Sequence, residues 1–437
     1  MGFPNCLFNE RNGLSGLSQG FWEALYLLWG LLGWLYTYST HNVMSNVTFS
    51  IEKKDSGSSA RAGILYTPHG RVATPAFVPV GTQATVKSLT PEDLERIGVQ
   101  ILFGNTYHLH LRPGEETVEQ FGGLGKFMGY SGTTMTDSGG FQVFSLAREK
   151  VSARQGDADE HAGGLVKITE DGVAFTSHLD GSRHFFTPEQ SIGIQKKLGA
   201  DICLSFDDCA PFPVTYEGAK AAMERTHRWA ERSLAAFRKT EGKFAQGLYG
   251  IVQGSTFEDL RKESAKFIGS MDFDGFAIGG VSVGESKEDM VRAVEWSVPL
   301  LPEDRVKHLL GVGDVDDIFY AIERGIDTMD CVTPTRLGRV GHVFVAPGEG
   351  SLHNRFRLDI TKSAFAHDAG PLTKNCDCYA CTHFTRGYVN HLFRAKEMLA
   401  GHLAAYHNVY FMIALVKNIR SAILHDTFAQ LKQQWLG

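Results

Sequence analysis

Cysteine is scarce in this chain, at seven of 437 residues, an odd number. Four of the seven, Cys6, Cys203, Cys209 and Cys331, show no spacing that builds a disulfide framework. That argues against a small stapled secreted scaffold and for a reducing cytoplasm. A large excess of one charge is also missing. The net charge is -6, so no overall basic field attracts a polyanion. The balance is uneven, however. From residue 331 onward Lys and Arg outnumber Asp and Glu by 12 to 6, whereas the preceding residues carry 31 against 43. A basic C-terminal portion on an acidic body allows local docking of a phosphate backbone, although a solvated mixed-charge surface fits these counts equally well.

Long apolar runs are absent with one exception, residues 21–38 (FWEALYLLWGLLGWLYTY), which Glu23 interrupts. This stretch is marginal as a membrane span. Signal-peptide grammar is poor as well, because only Arg11 supplies positive charge upstream and no small-x-small pattern follows. The phrase MSNVTFSIEKKD from Met44 reads as the opening strand of a soluble domain. Residues 1–43 are therefore expected to lie outside the folded domain, as the product of an upstream start codon in preference to an anchor, and no membrane is expected for the folded domain. With 43% hydrophobic and 21% charged residues, the rest is neither fibrous nor disordered.

The remaining cysteines, Cys376, Cys378 and Cys381, form C-x-C-x-x-C. Three thiols within six residues and one more distant histidine make a closed structural zinc site, a clasp rather than a reaction centre. Spacing alone leaves His383, His391, His402 and His407 open as the fourth ligand.

Short apolar runs fall at 76–80, 99–103, 133–136, 202–206, 249–253, 275–279, 308–312 and 328–332. Several precede amphipathic stretches, among them 257–268, 286–300 and 315–324. Eight strands alternating with helices predict a (β/α)8 TIM barrel. Between the third and fourth strands, VKITEDGVAF and HLDGSRHFF surround turn signals and predict an inserted β-hairpin region. The cysteine segment follows the eighth strand, so residues 44–370 are expected to form the barrel domain. Residues 371–437 are expected to form a zinc-binding subdomain with a closing helix from about Tyr410 to Gln434.

In such barrels chemistry sits where strands end. Asp137, Asp207, Gln253, Gly280 and Asp330 all fall there. A lone aspartate at such a place is usually a cap or turn residue, but three converging on one mouth suggest a reaction. Two carboxylates flanking a bond to a sugar carbon suit retaining glycosyl transfer, one as nucleophile and one as proton shuttle. A third, with an amide and a close-approaching glycine backbone, suits a guanine-like base.

The phrases NTYHL (105–109), LRPG (111–114), TDSGGFQV (136–143), FDDC (206–209), GIVQG (250–254), GGVSVGE (279–285) and RGIDTMDCVTPTR (324–336), with the cysteine triplet, occur in order. Together they resemble bacterial tRNA-guanine transglycosylases from about Pro75 to the C-terminus. The resemblance implies a zinc-containing barrel, usually homodimeric, that exchanges the wobble guanine of the Asp, Asn, His and Tyr tRNAs for a 7-deazaguanine. In that pattern Asp330 is the nucleophile and Asp137 the general acid and base. Asp207, Gln253, Gly280 and Val281 read the base, and Phe141 stacks on it. Arg336 and Arg339 hold the anticodon loop, and His407 completes the zinc site. Cys209 is associated with use of the aminomethyl precursor. The chain departs from the pattern at Asp314-Val315, Val281, Val340 and an insertion at 152–164.

Two rival readings follow from other features. His108-x-His110 imitates the opening motif of a metal-dependent amidohydrolase barrel, but no later strand-end histidine pair accompanies it. A non-catalytic tRNA-binding homologue should have lost an aspartate that this chain retains. An archaeal-type enzyme would need an added RNA-binding domain, for which no room is expected after the closing helix. Gly311-x-Gly313 is too short to claim a phosphate loop. Met412, Leu415, Ile419 and Ile423 read as a core-facing helix stripe.

Overall fold

A computed structural model describes residues 46–140 and 166–437. The readings at residues 1–43, Phe141 and the 152–164 insertion lie outside the described residues.

The described chain opens with an antiparallel sheet of β1 (Thr48–Lys54), β2 (Arg61–Thr67) and β3 (Gly70–Thr74). The barrel then begins with β4 (Ala76–Gly81), β5 (Ile101–Gly104) and β6 (Thr133–Thr136). A second small sheet, β7 (Val166–Ile168), β8 (Val173–Thr176) and β9 (Arg183–Phe186), interrupts it. The barrel resumes with β10 (Ile202–Leu204), β11 (Gly247–Val252), β12 (Gly275–Ile278), β13 (Val306–Leu309) and β14 (Thr328–Cys331). These eight strands close in sequence order, and β14 pairs in parallel with β4. A two-stranded ribbon follows, β15 (His342–Phe344) and β16 (Arg357–Asp359).

The eight-strand barrel expected from the sequence is thus present, with strand ends shifted by no more than a few residues. Alternation decides which side chains fill it. Val78, Ile101, Phe103, Met135, Ile202, Leu204, Tyr249, Ile251 and Ala277 form one buried cluster inside. Their neighbours Phe77, Leu102, Cys203, Leu248 and Phe276 join a different cluster that packs against the outer helices. Val47, Leu65 and Val72 from the opening segment belong to the inner cluster. Polar contacts run from His69 to Asp201 and from Ala73 to Gln100, at the starts of barrel strands. The opening sheet therefore plugs the N-terminal end of the barrel, leaving the opposite end for chemistry.

The inserted hairpin region is present as a three-stranded antiparallel sheet, because both turn signals operate, at Thr169–Gly172 and Ser177–Ser182. One expectation needs correction. The closing helix starts earlier than Tyr410 and ends earlier than Gln434. It runs Met398–Leu424, breaks at Asp426 with φ 56°, and resumes as Phe428–Leu436. Its first half is apolar nearly all round, which hides helical periodicity. Although long and apolar enough to cross a membrane, it has 72% of its most apolar window buried within the protein. Met412, Leu415, Ile419 and Ile423 are core residues, as their spacing suggested.

Candidate active site and metal centre

A cavity of about 510 Å3 opens at the C-terminal ends of the barrel strands. Asp137, Asp207 and Asp330 all line it, with Gly280, Val281, Cys209 and Arg336. Each aspartate is less than a tenth exposed. A second cavity, of about 400 Å3 beside Pro75 and Arg420, contains none of the three carboxylates.

Asp137 directly follows β6. Its Oδ1 accepts hydrogen bonds from the backbone N–H groups of Thr106 (2.8 Å) and Gly139 (3.1 Å), and its Oδ2 accepts one from the Asn105 amide. Burial pushes its carboxyl up to about 7, with the nearby charges of Asp330 and Asp207 adding to the rise and the backbone donors opposing it.

Asp207 lies three residues beyond β10. Ser138 Oγ donates to its Oδ1 at 2.9 Å and Gln253 Nε2 to its Oδ2 at 2.8 Å. Burial raises its carboxyl to about 6 against the pull of these two donors. Gly280 has φ +62°, and a Cβ there would come within 2.2 Å of Gln253 Oε1, so only glycine fits beside the amide.

Asp330 lies within β14. Its Oδ1 accepts from the Gly311 N–H at 3.0 Å and faces His308 Nε2 at 3.2 Å. The next element, the helix Thr333–Arg339, carries Arg336 and Arg339 and packs on Met398–Leu424. Gly338 makes that packing possible, since a Cβ would lie 2.6 Å from the Ala405 nitrogen.

Cys376, Cys378, Cys381 and His407 bring their ligand atoms within 4.8 Å of one another and can hold a metal ion. His383, His391 and His402 are not part of this cluster. His407 Nε2 donates to the Phe344 carbonyl at 2.8 Å, which turns Nδ1 toward the thiols. Asn408 donates to the carbonyls of Pro334 and His342 and accepts from the Phe344 N–H. The clasp and the arginine-bearing helix are thereby tied together.

The family model for "Queuine tRNA-ribosyltransferase" matches residues 55–437. The queuine tRNA-ribosyltransferase of Thermoanaerobacter pseudethanolicus is 50% identical over 392 residues, covering 90% of this chain and 97% of its own. Those of Desulforudis audaxviator (49%; 90% and 98% covered) and Enterococcus faecalis (47%; 89% and 94%) are similar too. The chain belongs to the queuine tRNA-ribosyltransferase family.

For a queuine tRNA-ribosyltransferase family member, the sequence-derived residues come together in part at the mouth. Arg336 lines the cavity, whereas Arg339 does not. One guanidinium nitrogen of Arg339 is buried without a hydrogen-bond partner. Asp314 pairs with Arg357 and Lys287, and Val340 is 61% exposed. The rival histidine motif falls on a helix, Thr106–Leu111, where His110 pairs with Glu115 and His184. Among the described residues it joins no metal-ligand cluster.

Sequence reasoning missed Asn105, Thr106, Ser138, Arg261 and His308. Arg261 is fully buried and donates to the carbonyls of Ser255, Val252, Gly279 and Gly280, holding the loop that carries Gly280. Burial pulls its guanidinium down to about 10. An arginine on a helix four residues past a polar loop gives no signal by pattern. Asn105 and Thr106 were visible in the NTYHL phrase but had no role attached.

Proposed function

We propose that the barrel mouth exchanges the wobble guanine of GUN-anticodon tRNAs for 7-aminomethyl-7-deazaguanine through a covalent ribosyl-aspartate intermediate. The family makes the chain a tRNA-guanine transglycosylase, a pentosyltransferase of queuosine synthesis. The observation that carries the finer reading is the convergence of three buried carboxylates with separate partners on one cavity.

Asp330 attacks the ribose anomeric carbon as the bond to guanine breaks. The bonding electron pair leaves with the base, which takes a proton from Asp137. The incoming base returns a proton to Asp137 and displaces the Asp330 carboxylate. A carboxyl near 7 suits both directions of that transfer. Asp207 accepts from the ring NH and amine of the base. Gln253 and the Gly280 N–H donate to its carbonyl, Val281 offers its own carbonyl, and Phe141 stacks on the ring. Arg336 and Arg339 hold the anticodon loop, a reading that the place of Arg336 in the cavity lining supports. Cys209 at the wall supports the aminomethyl precursor over queuine.

The metal is zinc. A zinc tetrahedron with Zn–S near 2.3 Å and Zn–N near 2.05 Å has S···N edges of about 3.6 Å. The three thiols lie 3.8, 3.5 and 3.4 Å from His407 Nδ1, which supports that ion. Its role is structural, remote from the reacting atoms. The scarcity of cysteine supports a cytoplasmic protein, and the family resemblance supports a homodimer.

Incorporation of labelled guanine into unmodified GUN-anticodon tRNA tests the reading. Incorporation supports it, whereas tRNA binding without incorporation would favour the non-catalytic homologue.

A further inference from the structure

We propose that His308 is the positioning residue of Asp330, fixing the orientation of its carboxylate so that one oxygen faces the cavity. This rests on the nucleophilic role given to Asp330 above. His308 lies on β13, adjacent to β14, and is fully buried. Its Nε2 is 3.2 Å from Asp330 Oδ1 and its Nδ1 is 2.9 Å from Thr328 Oγ1, while its ring stacks on Phe103 at 5.9 Å.

Both ring nitrogens are therefore committed. Asp330 Oδ1 is acceptor-only when ionised, so Nε2 carries a proton and donates; Thr328 satisfies Nδ1. The Gly311 N–H donates to the same Oδ1 at 3.0 Å. Among the described residues no hydrogen bond reaches Oδ2. The carboxylate is thus held by one oxygen and presents the other, with its lone pairs uncommitted, to the cavity. In the exchange, Oδ2 forms the new bond to the anomeric carbon as the bond to the base breaks, and His308 keeps its proton throughout. Phe103 and Thr328 hold the imidazole, the imidazole holds Oδ1, and rotation of the carboxylate plane away from the attacking geometry is suppressed. Orientation of this kind acts on the chemical step more than on docking.

The test measures guanine exchange, tRNA binding and melting temperature for His308→Phe, His308→Gln and Thr328→Val, with Asp330→Asn as reference. His308→Phe is expected to lower kcat roughly tenfold to a hundredfold, as loss of a charge-assisted hydrogen bond should, with KM for tRNA changed less than about twofold. His308→Gln, whose Nε2 can donate in place of the ring nitrogen, is expected to recover most of that loss. Thr328→Val is expected to lower kcat several-fold with tRNA binding unchanged, and it decides the matter if His308→Phe does not fold. A His308→Phe or Thr328→Val enzyme with wild-type kcat overturns the proposal. So does a His308→Gln enzyme as impaired as a folded His308→Phe. Exchange by Asp330→Asn would instead overturn the nucleophile assignment itself.

Discussion

The side-chain amide of Gln253 donates to Asp207 at 2.8 Å, joining the ends of two adjacent barrel strands. Ser138 reaches the other oxygen of the same carboxylate from a third strand end. The proposed base site is preorganised, because Asp207 and its two donors already constrain one another.

Removing that carboxylate should leave two donors without an acceptor. Asp207→Ala is expected to lower kcat/KM for the incoming base by roughly a hundredfold or more, since a site built to hydrogen-bond its substrate loses heavily when one side is gone. Titration of exchange against base concentration checks this. A loss below about threefold would remove Asp207 from base recognition.

The same residue carries a stability signature. Its folded carboxyl is raised to about 6 from an ordinary 3.8, so between these values the folded state holds a proton that the unfolded chain has released. Stability contributed below pH 4 is lost as pH rises through about 6. Asp207→Asn stays neutral at every pH, and its melting temperature relative to wild type is expected to rise from pH 4 to pH 7. A difference that falls or stays flat over that range would show that burial does not strain this carboxylate.

Asp137 gives a kinetic counterpart. In the proposed mechanism the covalent RNA adduct forms as Asp137 gives up a proton, and burial places its carboxyl near 7. Single-turnover adduct formation is expected to decline above about pH 7, approaching tenfold per unit. A flat profile from pH 6 to 9 would exclude Asp137 as the acid.

The barrel was legible in the sequence because each of its strands is a short apolar run, such as ICL before Asp207 or GFAI before Gly279, and because helices follow several of them. The candidate residues were legible because they sit at strand ends within recognisable phrases. What escaped was whatever acts through burial rather than pattern. Arg261 looks like any helix arginine until its four carbonyl acceptors are seen, and His308 is one of two adjacent polar residues in the short strand VKHL, with nothing to set it apart. The early start of the last helix was hidden for the opposite reason, since MLAGHLAAYHNV has too few polar residues to show a face.

The clasp should respond as a unit. Cys378→Ser removes one of four ligands and is expected to abolish stoichiometric zinc and lower the melting temperature by several degrees, because His407 and Asn408 link the site to the helix that follows Asp330. Metal analysis alongside thermal unfolding checks both effects. Full zinc content in the variant would mean that the ion is held elsewhere.

The most direct test is to trap the covalent complex between enzyme and GUN-anticodon tRNA on a denaturing gel, comparing wild type with Asp330→Asn and measuring tRNA affinity for both. A shifted band for wild type only, with affinities within about tenfold, is the expected result. A shifted band of equal intensity for Asp330→Asn would contradict the account, because the bond to ribose would then be made by another residue.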